Sequence, residues 1–96
     1  MRLEVLHVPD CPNVAPLLER LARVTDLPVT TRPIVSEAAA TQYGMRGSPT
    51  LLVDGVDPFA VAGECCSMSC RLYRDETGQV VPVPTVEVLR RVLLRA

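Results

Sequence analysis

Ninety-six residues carrying ten arginines, eleven acidic side chains and 48% apolar content make one domain over residues 1–96, with a single modest core. No apolar run approaches the roughly 20 residues that cross a bilayer. The arginines are scattered and the chain has one Phe, two Tyr and no Trp, so neither a basic stripe nor a set of stacking aromatics points to nucleic acid.

Leu3 to Val8 reads as a first strand with apolar residues on both faces, the pattern of an inner strand covered on both sides. Its acidic Glu4 and the lack of a small-residue cleavage site argue against a signal peptide. Val8-Pro9-Asp10-Cys11-Pro12-Asn13 follows, and a helix from about Asn13 to Thr25 puts Val14, Leu17, Leu18, Leu21 and Val24 on one stripe, with a Glu19–Arg23 pair on the wet face. Val29 to Val35 is β-branched enough for a second strand, and Pro33 sends it to an edge or a bulge. Ser36 caps a short helix, Glu37 to Tyr43, closed by Gly44.

Thr50 to Val53 is a third strand with a tight turn at Asp54-Gly55, and Val56 to Ser69 has no period and reads as a long loop. Arg71 to Arg74 and Gln79 to Val83 form a hairpin around Asp75-Glu76-Thr77-Gly78, and Thr85 caps a last helix in which Glu87 pairs with Arg91. The expected fold is α/β, in the order βαβα then ββα, with a central mixed sheet and helices on both faces.

Cys11 is the first candidate for chemistry. A thiol on a strand-to-helix turn meets backbone N–H groups and the positive end of the helix macrodipole, which favour thiolate. Asp10 beside it opposes that effect if its carboxylate lies close. The other three cysteines crowd into Cys65, Cys66 and Cys70. Without an export signal this distribution speaks for a reducing, cytoplasmic setting and for reactive or metal-binding thiols rather than a disulfide framework. Cys11, Cys65, Cys66 and Cys70 are thus candidate ligands for a soft ion such as mercury, with zinc second because no histidine completes a zinc spacing. Cys66 and Cys70 are alternatively a disulfide pair. His7, the only histidine, reads as a satisfied strand side chain before it reads as a base, and Asp54 and Asp57 read first as turn residues, second as proton donors.

A strand, a cysteine at the next helix start, a βα unit and then Gly47-Ser48-Pro49-Thr50 leading into an apolar strand and a hairpin resemble the thioredoxin-like fold. Leu6 to Asn13 and Gly47 to Gly55 are also similar to small thioredoxin-like proteins grouped with alkylmercury lyases. The resemblance implies a cis proline at Pro49, packed beside Cys11. It also implies a substrate site in which Pro12, Ser48 and Pro49 line the thiol's pocket and backbone groups receive an extended substrate. One departure matters: Val14 stands where the family's Cys-x-x-Cys motif has its second cysteine. What remains is monothiol chemistry at Cys11, or a second thiol arriving from the Cys65 to Cys70 loop, with Cys66 and Cys70 as the catalytic candidates. The expected function is thiol–disulfide exchange or capture of a soft metal or organomercurial by Cys11 with that loop, without a required cofactor. The alternatives are C–Hg cleavage with Asp10 or Asp57 as acid, and non-catalytic soft-metal binding. Expected partners are a small electrophile, a metal ion or a thiol/disulfide partner, with the chain a monomer or weak homodimer.

Overall fold

The computed structural model describes residues 1–95. Strand β1 (Leu3–His7) leads to helix α1 (Val14–Ala22), strand β2 (Val29–Pro33) and helix α2 (Glu37–Tyr43). Strands β3 (Arg46–Ser48), β4 (Thr50–Val53), β5 (Ser67–Cys70), β6 (Tyr73–Arg74) and β7 (Val80–Val81) follow, and helix α3 (Val86–Arg95) closes the described chain. β1 lies between β2, which it meets in parallel from Leu3↔Val29 to His7↔Pro33, and β4, which it meets antiparallel from Leu3↔Val53 to Leu6↔Thr50. The sheet is therefore mixed, and β2 holds the edge position that Pro33 implies.

Alternation along β1 divides the core in two. Leu3 and Val5 join Leu51 and Val53, Leu17 and Leu21 of α1, and Leu89 of α3. Leu6 joins Leu52, Ile34, Met45 and Ala40 of α2. Burying a large aliphatic side chain contributes about 1.5–3 kcal/mol, so these clusters supply the main drive for the fold. The Arg20 guanidinium donates to the carbonyls of Val83 and Pro84, both at 3.1 Å, tying α1 to the segment ahead of α3.

Ser36 Oγ accepts the Ala39 N–H at 3.1 Å, and Gly44 ends the helix at φ +81°, as the sequence implies. Thr85 Oγ1 likewise accepts the Val88 N–H at 3.2 Å. Asp54 and Gly55 both take positive φ, and Val53 and Val56 exchange hydrogen bonds across them at 2.8 and 3.0 Å, a two-residue hairpin turn of the type that favours Asp-Gly. Helix α1 ends earlier than expected because its last turn tightens: the N–H groups of Arg23 and Val24 reach back three residues, to Arg20 and Leu21.

Two short strands depart from the expected βαβα-ββα order. Arg46–Ser48 is a strand, and the expected loop contains a second one, Ser67–Cys70, paired with it in parallel (Arg46↔Ser67, Ser48↔Cys70) with a register shift between the two pairs. Among the described residues no helix is long and apolar enough to cross a membrane.

Candidate thiol site

The Cys11 turn forms because Asp10 adopts φ +60°, which lets the Cys11 N–H return to the Val8 carbonyl at 3.3 Å. Asp is among the few residues that visit this region readily. Cys11 lies two residues ahead of the N-cap Asn13, and its carbonyl accepts the Val14 N–H at 3.4 Å. The side chain is half-buried, while Asp10 and Pro12 are exposed. His7 Nδ1 donates to the same Val8 carbonyl at 2.9 Å, so the histidine braces this turn.

The Ser48–Pro49 peptide is cis, and both residues are buried. Ser48 Oγ accepts the Val8 N–H at 3.0 Å. On its other side, Ser48 stands opposite Cys70, and its carbonyl accepts the Arg71 N–H at 3.1 Å. Ser48 therefore connects the Cys11 turn to the cysteine strand. The Pro49 carbonyl accepts from the Tyr73 hydroxyl. Both carbonyls are thus engaged within the chain.

All four cysteines are free thiols; Cys66 is half-buried, Cys65 and Cys70 are exposed. Among the described residues, no three His, Cys, Asp or Glu side chains gather into a group able to hold a metal ion. The four thiols therefore do not form one ready cage.

A buried polar cluster behind Pro49 is absent from the sequence reading. Asp57 Oδ2 accepts from Arg71 at 2.7 Å and from Arg46 at 3.4 Å, while Oδ1 accepts the Phe59 N–H at 2.9 Å. Arg71 also reaches Thr50 Oγ1 at 3.2 Å, and its guanidinium lies 5.0 Å from the Tyr73 ring centroid. Asp57 is therefore a structural anchor, with both oxygens occupied, and not the free proton donor considered above. Burial, the largest single influence, opposes the Arg71 charge, but the hydrogen bond to Asp57 together with the charge interactions with Tyr73, Asp57 and Glu64 outweighs it and holds the guanidinium above its ordinary range. The only sequence sign of this cluster is an arginine at the end of the cysteine run, which nothing local pairs with an aspartate fourteen positions earlier.

Burial pushes the Tyr73 phenol well above its ordinary value of 10.0. Below that value both folded and unfolded chains keep the proton and the contribution is fully present. Above it the unfolded chain ionises first, so stability falls as pH rises. The urea midpoint is expected to drop between about pH 9 and about pH 11, and to drop less in Tyr73→Phe. An equal drop in both proteins contradicts the assignment.

A cleft of about 480 Å³ runs between the β6–β7 hairpin and α3, bordered by Phe59, Leu72, Tyr73, Val88, Arg91 and Val92; no cysteine lines it. No protein-family model, curated protein or solved structure matches this chain.

Proposed function

We propose that this chain is a cytoplasmic, thioredoxin-like thiol protein in which Cys11 and Cys70 act together in thiol–disulfide exchange or in capture of a soft electrophile. The reading rests above all on one observation: Cys70 stands opposite Ser48, whose hydroxyl holds Val8 at the base of the Cys11 turn. The cis Ser48–Pro49 peptide between β3 and β4, and the sheet order β2-β1-β4, support the thioredoxin-like assignment, with α1 and α3 on one face and α2 on the other.

Cys11 attacks a disulfide RS–SR, forming Cys11–S–S–R and releasing RS⁻. Cys70 then attacks the Cys11 sulfur, forming Cys11–Cys70 and releasing the second RS⁻. The two protein thiols lose two electrons and two protons, and the substrate leaves as two thiols. A mercurial would be captured as a thiolate adduct by the same groups. C–Hg cleavage is the weaker reading, because Asp57 is held by two arginines and leaves Asp10 alone as an acid.

Native mass spectrometry after exposure to an organomercurial, with headspace analysis, tests this. The expected result is a stable adduct on Cys11, lost in Cys11→Ser, without hydrocarbon release. Sustained hydrocarbon release supports the lyase reading instead, and an unmodified Cys11 overturns both.

A further inference from the structure

We infer that the Cys11 site takes low-molecular-weight disulfides and electrophiles and excludes extended polypeptides, because the chain's own strand β5 fills the edge on which a polypeptide would pair. The inference rests on the thiol-exchange reading and names its substrate class. A peptide that binds by strand addition needs a row of free N–H and C=O groups beside the reactive thiol. The strand tied to the Cys11 turn, through Ser48, is β3, and its edge toward β5 is occupied. Ser67 N–H donates to the Met45 carbonyl at 3.0 Å at one end, and Arg71 N–H donates to the Ser48 carbonyl at 3.1 Å at the other. Arg71 is in turn anchored on Asp57.

Space is closed as well as hydrogen bonding. A Cβ on Gly47 would lie 2.9 Å from Arg71 Cβ and 3.2 Å from the Ser69 carbonyl oxygen, so β3 and β5 are in close backbone contact. The outer edge of β5 is a poor substitute template, since it has four residues and the register shift interrupts its ladder. Cys11 remains half-exposed and Cys70 exposed, which leaves a thiol route for a molecule that needs no strand pairing.

The test uses Cys65→Ser/Cys66→Ser/Cys70→Ser protein, in which Cys11 is the only thiol. Its rate of glutathione release is compared between glutathione disulfide and an extended peptide whose one cysteine carries glutathione, each normalised to the rate at which N-acetylcysteine releases glutathione from the same substrate. Backbone hydrogen exchange of β3 and β5 is followed in parallel. The expected result is reaction with glutathione disulfide, a lower normalised peptide rate, and no added protection at Arg46–Ser48 or Ser67–Cys70. An equal or higher peptide rate, or new protection on either strand, overturns the inference and leaves the thiol function standing. Reactivity no greater than that of N-acetylcysteine toward both substrates overturns the thiol function and the inference with it.

Discussion

Asp57→Ala is expected to destabilise the protein by about 3–5 kcal/mol, the cost of leaving one member of a buried ion pair without its partner. The side chains of Asp57 and Arg71 are 2% and 4% exposed, so water cannot replace the lost partner. Arg71→Ala should cost a similar amount, because it leaves Asp57 with the more distant Arg46, at 3.4 Å, as its one remaining cation. For a domain whose whole stability is about 5–15 kcal/mol, either change removes a large fraction. At roughly 4–8 °C per kcal/mol for a chain of this size, the melting temperature should fall by more than about 12 °C. Asp57→Leu combined with Arg71→Met should recover part of the loss, since an apolar pair avoids the desolvation of both charges. Chemical denaturation of the four proteins measures the coupling. Single variants within about 1 kcal/mol of wild type would show that the pair is solvated, as surface pairs are.

Gly47→Ala should cost about 2–5 kcal/mol, combining backbone strain of about 1–2 kcal/mol with overpacking of about 1–3 kcal/mol. Gly47 has φ +99°, and the atoms nearest the added methyl are Arg71 Cβ, Arg71 Cα and the Ser69 carbonyl oxygen, at 2.9, 3.1 and 3.2 Å. None of these is the free end of a flexible side chain, so relief requires β5 to move away from β3. Gly44 provides the control: its φ is +81° and nothing lies within 4 Å of the added methyl, so Gly44→Ala should cost only the strain term. Denaturant midpoints of the two variants test the difference. Equal losses would mean that β3 and β5 are not in close contact in solution.

Features whose determinants lie within a few residues of each other are legible in the sequence. Ser36 and Gly44 bound a seven-residue helix, Asp54-Gly55 makes its turn, and Asp75 organises the hairpin. Its carboxylate accepts the Thr77 hydroxyl and the N–H groups of Thr77 and Gln79, contacts that hold it below the ordinary carboxylate range. Strand β5 is not legible, because Ser-Met-Ser-Cys has no β-branched residue and its polar–apolar alternation runs over only four residues. It is extended because β3, some twenty residues earlier, supplies its partner. The Asp57–Arg71 pair is hidden for the same reason. Cys11 is conspicuous on its turn, whereas its relation to Cys70 depends on Ser48 hydrogen bonding to both segments. The cis Ser48–Pro49 bond followed from family resemblance rather than from any local propensity.

The most direct test of the joint role of Cys11 and Cys70 is peptide mapping after wild-type protein has reacted with glutathione disulfide and free thiols have been blocked. The expected product is a Cys11–Cys70 disulfide, with glutathione accumulating on Cys11 only in Cys70→Ser. Glutathione retained on wild-type Cys11 to the same extent as in Cys70→Ser, or Cys11 joined to Cys65 or Cys66 instead, would contradict it.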